Sequence, residues 1–140
     1  MSLPTVHFAA EPELNPDEFR QVLELSGLGA TRPVDDPVRI AAMLSGANLI
    51  MTARLQQQHG MLVGVARCVT DFSWCCYVSE LAVARSAQGL GIGKSLLQRV
   101  RHHLGPRVSI ILASMPDAVG FYERIGMPRL PDAFWYKRDV

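Results

Sequence analysis

The sequence predicts an α/β protein of the α+β type, with a central mixed, mostly antiparallel twisted sheet of about six to seven strands flanked by four helices. Three observations carry that expectation. Two helix starts occur early, each a capping Asn or Asp followed by proline. The apolar pattern then changes from a helical period to alternation between residues 48 and 84. Past residue 84 comes a glycine-rich loop that opens a helix and leads on to a β-branched segment. At 140 residues the chain suits a single domain, 1–140, with one sizeable core. No repeat, low-complexity tract or interdomain linker interrupts it.

Thr5 to Ala9 is short and β-prone, a first strand. Asn15-Pro16-Asp17-Glu18 starts a helix, because an Asn cap, a proline at the first helical position and two acids all suit the N-terminal end of the dipole. Phe19, Val22, Leu23 and Ser26 share one face, and Gly27 ends the helix. Asp36-Pro37 repeats the signal, with Ile40, Met43 and Leu44 as the buried stripe and Gly46 as the stop. Asn48 to Gln57 and Met61 to Thr70 form a hairpin around Gln58-His59-Gly60. Asp71-Phe72-Ser73 turns into a further strand, Cys75 to Ala84. Leu96, Leu97, Val100 and Leu104 mark the third helix, closed by Gly105-Pro106. Arg107 to Ala113, apolar and β-branched at its centre, reads as a fully buried strand. Ser114-Met115-Pro116-Asp117 opens a fourth helix that Gly126 ends, and Ala133 to Asp139 reads as a last edge strand.

The bulk chemistry is that of an ordinary soluble protein, with 49% hydrophobic and 19% charged residues. A net charge of +1 gives no broad basic field for nucleic acid. Lys94, Arg99, Arg101 and Arg107 do gather after the glycine loop, which suits a small anionic ligand. Met1 to Ala10 has no export-signal pattern, and no apolar run approaches the ~20 residues that span a bilayer. Cys68, Cys75 and Cys76 form no CxxC, and together with His7, His59, His102 and His103 they lack metal-ligand spacing. Reduced thiols, a cytoplasmic location and no metal are the expectation, with Cys75 and Cys76 buried in their strand.

The segment Gln88-Gly89-Leu90-Gly91-Ile92-Gly93-Lys94 sits between a strand and a helix, where glycine amides can converge on a phosphate and the helix dipole adds to the attraction. Spacing discriminates among phosphate ligands. The triphosphate loop G-x-x-x-x-G-K-[ST] fails by one residue, because Gln88 stands where its first glycine belongs. The dinucleotide pattern G-x-G-x-x-G fails too, since counting from Gly89 the last position is Lys94. The pattern Q/R-x-x-G-x-G/A is met by Gln88, Gly91 and Gly93.

That pattern resembles the acyl-CoA pyrophosphate loop of the GNAT superfamily of N-acetyltransferases. The likeness covers most of the chain and is sharpest from Tyr77 to Met127, where Leu81-Ala82-Val83, the loop and Phe121-Tyr122-Glu123-Arg124-Ile125-Gly126 follow in family order. The resemblance implies acetyl-CoA as the acyl-donor cosubstrate, and a primary amine, on a small molecule or a peptide, as acceptor in a ternary complex. It implies that Leu81, Ala82 and Val83 meet the pantetheine arm, which enters where the strands on either side of the third helix splay apart. Gln88, Gly89, Leu90, Gly91, Ile92, Gly93, Lys94 and Ser95 would form the rest of the cofactor site. Tyr122 matches the usual general acid, which protonates the departing thiolate.

The base is less apparent. Glu80 is the sole carboxylate near the centre of its strand and is the candidate, although alternation would put it on the face opposite Tyr77, Ser79 and Leu81. A solvated or salt-bridging Glu80 is the competing assignment. Many relatives carry an Asn seven residues before the tyrosine, where this chain has Met115, a departure that bears on cofactor binding. A CoA-binding module without chemistry is the alternative, and a nucleotide-binding protein a remoter one. The C-terminal strand could support a homodimer.

Overall fold

Asn15 begins the first helix as its spacing predicts. Its side chain accepts from the amides of Asp17 at 2.8 Å and Glu18 at 3.4 Å, and Gly27 closes the helix in a left-handed conformation. Asp36 caps the second helix by accepting from the Arg39 amide. The computed structural model describes residues 4–140. Its strands are β1 (Val6–Ala10), β2 (Leu49–Leu55), β3 (Met61–Thr70), β4 (Cys75–Val83) and β5 (Ser109–Ile111); its α-helices are α1 (Pro16–Ser26), α2 (Pro37–Gly46), α3 (Ile92–Leu104) and α4 (Val119–Arg124).

The five strands form one sheet in the order β1-β2-β3-β4-β5. Pairing is antiparallel as far as β4 and parallel between β4 and β5, which α3 connects as a crossover. β3 is central, and its run from Leu62 to Cys68 is buried on both faces. Phe19, Val22, Leu23, Ile40 and Leu44 of α1 and α2 cover one face, against Ile50, Leu62, Val65 and Ala82. Ile92, Leu96, Leu97 and Val100 of α3 cover the other, against Met51, Ala53, Val63, Ala66 and Val78. Each large apolar side chain so buried contributes about 1.5–3 kcal/mol. Gly64 lets α3 come close: a Cβ there would lie 3.0 Å from Ile92 and 3.1 Å from Leu96. Arg54 on β2 fastens the start of α1 by donating to Glu18 at 2.7 Å and to Glu11 at 2.9 Å.

Several expectations need correction. The sheet has five strands, not six or seven, because Ala133 to Asp139 pairs with nothing in it. Phe134 and Tyr136 stand almost fully exposed and Trp135 largely so, and Arg39 of α2 donates a hydrogen bond of 3.5 Å to the Val140 carbonyl. Aromatic content measures how well a segment would fit a pleated, half-buried surface, and does not supply that surface. The expected buried strand over Arg107 to Ala113 shrinks to Ser109–Ile111, with Ser109 and Ile111 exposed, because β5 is paired on one side only. The fourth helix starts with a 3-10 turn at Pro116–Ala118, and Ser114 donates to the Met115 carbonyl instead of capping it. Cys76 is buried but Cys75 is exposed, and all three thiols are unbridged.

Because the tail is exposed, Phe134→Ser and Trp135→Ser are each expected to change unfolding free energy by no more than about 0.5 kcal/mol. Urea denaturation checks this, and a loss of several kcal/mol would mean that the tail packs on the sheet in solution.

Candidate active site

β5 follows β4 for three residues, Cys75 to Tyr77, and then leaves it. Beyond that point β3 still pairs with β4, but the other edge of β4 is open. The backbone groups on that edge follow from the ladder. The Ala84 amide donates to the Val63 carbonyl of β3 at 2.8 Å. Alternation then turns the amides and carbonyls of Val83 and Leu81 away from β3, toward the opening. The Val83 carbonyl accepts from the Gln88 side chain at 3.1 Å, as that orientation requires. A cleft of about 700 Å³ occupies the space. Leu81, Ala82 and Val83 line it on one side and Met115, Phe121 and Tyr122 on the other. The glycine loop closes one end, and the connector after α1, from Ser26 to Thr31, contributes a further wall.

The loop presents its amides as an anion site. Gly89 and Gly91 have φ of +86° and +76°, conformations that a side chain would strain, and Gly91 is the N-cap of α3 with no side-chain cap. Among the described residues no backbone carbonyl accepts from the amides of Gly89, Leu90 or Gly91. Those of Ile92, Gly93 and Lys94 lie in the first turn, where intrahelical bonding has not begun. The Gln88 amide already donates to Arg85 and the Ser95 amide to Gly91, so the unpaired run is Gly89 to Lys94. Six N–H groups at the positive end of a 13-residue helix suit a pyrophosphate. Gly93 has a different role, since a Cβ there would meet the Phe121 ring at 3.0 Å.

Tyr122 projects from α4 beside Phe121, edge to face, with ring centroids 5.0 Å apart. It lines the cleft, and among the described residues nothing hydrogen-bonds its hydroxyl. Burial raises its phenol above the ordinary value, so it stays protonated through neutral pH and can donate to an anion in the cleft.

Glu80 is 2% exposed and lies within a network of guanidinium groups. Arg67 of β3 bonds both of its carboxylate oxygens, and Arg32 donates to one of them at 2.7 Å. The Ser79 hydroxyl adds a bond of 2.8 Å. Burial pushes the carboxyl up, but the Arg67 bond and charge, the Arg32 bond and the Ser79 bond together outweigh it and hold Glu80 below the usual carboxylate range. The bridging assignment for Glu80 is thus the one its geometry fits.

The expected alternation of β4 also needs correction. Arg67 pairs with Glu80 but Cys68 pairs with Val78, so Ser79 is the extra residue of a β-bulge. Cys76 and Val78 point into the α3-side core, as do Leu81 and Val83 beyond the bulge. Tyr77 therefore shares the face of Glu80 rather than opposing it, and the Ser79 hydroxyl turns to the same network. Leu81 alone keeps the expected opposition.

Of the residues singled out in the sequence, the cleft brings together Tyr122, Leu81, Ala82, Val83, Gln88, Gly89, Gly91, Ile92 and Gly93. Glu80, Leu90, Lys94 and Ser95 lie off its walls. Missed altogether were Arg32 and Arg67. The signal for Arg67 was present: a lone arginine amid the apolar run from Leu62 to Cys68 needs a buried acid, and Glu80 is the acid of the neighbouring strand. Arg32 lies in a loop and carried no such pattern.

Comparison with known proteins agrees with this geometry. The family model described as an acetyltransferase (GNAT) domain matches residues 37–133. An uncharacterized N-acetyltransferase, ycf52, of Pyropia yezoensis is 27% identical over 139 residues, covering 95% of this chain and 78% of that protein. A chloroplastic serotonin N-acetyltransferase of Oryza sativa is 38% identical over 76 residues, covering 53% of this chain and 38% of the rice protein. Among solved structures, an aminoglycoside N-acetyltransferase in complex with CoA superposes with a TM-score of 0.70 at 14% identity, over 99% of this chain and 98% of that one.

Because the folded Glu80 carboxyl is depressed, its contribution to stability is complete above the ordinary carboxylate range and is lost as pH falls through the folded value. Glu80→Gln is expected to lower stability at neutral pH by about 3–5 kcal/mol, as for a broken buried pair, and to flatten the acid side of the stability profile. Denaturant titrations across pH check both; an unchanged acid limb would show that Glu80 does not titrate with folding.

Proposed function

This chain belongs to the GNAT family of acetyltransferases, and from that premise we propose that it moves the acetyl group of acetyl-CoA onto a primary amine by direct attack in a ternary complex. It is an acyltransferase enzyme. One observation carries the finer statement: the open edge of β4, the unpaired amides of Gly89, Gly91, Ile92 and Gly93 and the free hydroxyl of Tyr122 share a single cleft.

Each wall matches a part of the donor. The pyrophosphate would take the amides at the start of α3, and the pantetheine arm, an extended chain of amides, would continue the sheet along Val83 and Leu81 where β5 does not. Bonds to outward backbone groups need no particular side chain, so Leu81, Ala82 and Val83 can also be core residues. Met115 lines the cleft where many relatives carry an Asn, and in this chain the backbone of β4 supplies polar contacts. Of the donor's chemistry, the thioester supplies the activated acetyl group.

In the transfer step the amine nitrogen adds to the thioester carbonyl carbon, and the electron pair moves onto oxygen. A backbone amide on the open edge of β4 near Leu81 would stabilise that oxyanion. Collapse breaks the C–S bond, and the Tyr122 hydroxyl protonates the departing thiolate. The nitrogen proton leaves to water in the cleft, since Glu80 is held by two guanidiniums and faces away. The amine reaches the carbonyl past Ser26 to Thr31, the wall farthest in sequence from the cofactor loop.

Acetyl-CoA at 100 times its Kd is expected to stabilise the protein by about 2.7 kcal/mol. Gly91→Leu, which forces a side chain into the left-handed N-cap and the anion site, is expected to remove that shift; thermal unfolding with and without acetyl-CoA reads it, and an intact shift would sink the loop assignment. Tyr122→Phe is expected to lower kcat about 10²–10⁴-fold with little change in acetyl-CoA affinity. CoA thiol release with serotonin, kanamycin, an alanine-terminated peptide and a lysine peptide provides the assay, and unaltered turnover would remove Tyr122 from the chemistry.

A further inference from the structure

Ser79 is the one residue of β4 that the β3 ladder passes over, and a bulge leaves such a residue without its regular partners. Arg32, from the connector between α1 and α2, supplies the missing bond: its Nη2 donates to the Ser79 carbonyl at 2.9 Å. Nε of the same guanidinium donates to Glu80 at 2.7 Å, and Nη1 turns back to Thr31, to the hydroxyl at 3.1 Å and to the carbonyl at 3.3 Å. All three nitrogens are therefore engaged, each in a different direction. Behind them Arg67 clamps Glu80 from β3 and reaches the Met43 carbonyl of α2 at 2.9 Å.

We propose that Arg32 is a positioning residue for acetyl transfer: by bridging Thr31, Ser79 and Glu80 it fixes the bulge, and through the bulge the direction of the Leu81 backbone that faces the thioester. The proposal rests on the acetyl-CoA reading above. Two geometric facts support it. Leu81 lies two residues beyond the bulge, so the setting of the Ser79–Glu80 peptide bears on the direction of the open-edge groups of Leu81. Thr31 belongs to the wall by which the amine arrives, so one guanidinium spans the acceptor wall and the strand bearing the donor. Arg67 and Glu80 are almost wholly buried, whereas the Arg32 side chain is 21% exposed, on the rim of the network rather than in its interior. The buried pair can hold the strands together without Arg32. What Arg32 adds is the direction of the bulge.

A lysine ammonium is a single compact centre and cannot span the three separately placed residues that the arginine fork bridges. Arg32→Lys is therefore expected to fold and to bind acetyl-CoA within twofold of wild type. It is expected to exchange the ladder-bonded amides of Glu80 and Ala82 at least tenfold faster, with β2 unchanged, and to lose at least tenfold in kcat with the KM for acetyl-CoA retained. The rates are read by thiol release with the fastest of the four amines above. Guanidinium chloride at millimolar concentration is expected to restore part of kcat to Arg32→Ala, and none to wild type. Wild-type exchange at Glu80 and Ala82 in Arg32→Lys would overturn the proposal, as would an unchanged kcat, or a loss confined to the KM for acetyl-CoA. A wild-type protein that releases no thiol with any amine and is not stabilised by acetyl-CoA would fail the underlying reading instead, and that result precedes any Arg32 variant.

Discussion

β4 pairs with β3 from Cys76 to Val83, interrupted only at the Ser79 bulge, and with β5 for only three residues. A strand interior to a sheet normally has every backbone group partnered, because an unmet amide or carbonyl away from water is costly. Here the departure of β5 leaves outward groups of β4 free, and the cleft is the space it vacates. The rest of the molecule fits around that opening. α3 must span from the end of β4 to the start of β5 and so begins at the mouth of the cleft, with its unbonded amides toward it. α4 follows β5 and forms the opposite wall. Gln88 bonds the Val83 carbonyl at the margin, which ties the loop to the strand whose open edge it adjoins.

Keeping two parallel strands apart requires something to stop them closing. The bulge at Ser79 does so on β4, two residues past the last one that β5 reaches. Bulges sharpen local twist and re-aim the residues beyond them, and this one reverses which side chains face α3. The charged network behind it is costly by itself, because removing a carboxylate and two guanidiniums from water carries a penalty that good geometry only offsets. The network spans α2, β3, β4 and the α1–α2 connector, so it specifies a relative placement of elements that apolar packing alone would allow to slide.

The parts legible from the sequence were those whose determinants are local. Asn15-Pro16 and Asp36-Pro37 cap the helices they announced, and Met61–Thr70 forms the strand expected over the same span. Gly89 and Gly91 adopt the left-handed conformations that a phosphate-type loop needs. What failed was non-local. Whether Ala133 to Asp139 pairs depends on a distant edge that its own composition does not describe. The bulge arises from a mismatch of one residue between two strands, so neither strand alone reveals it, and an alternation argument carried through it gives the wrong face for Tyr77. The site was found by a backbone loop and a tyrosine because those are local marks; the open edge of β4 has no side-chain signature.

The contact between Gly93 and Phe121 joins the two marks that the sequence presented separately. α4 has only six residues, too short to hold its own conformation, and it depends on what its side chains pack against. Phe121 rests on the one position of the first turn of α3 where no Cβ intrudes, with Val83 beside it. Tyr122 then lies edge-on to Phe121, so the placement of its hydroxyl derives from the backbone of the anion loop. A ligand that draws the loop amides toward it pulls on the same turn that seats Phe121. The anion site and the phenol are therefore two faces of one packed contact, and Gly93, whose own amide belongs to the anion site, sets the distance between them.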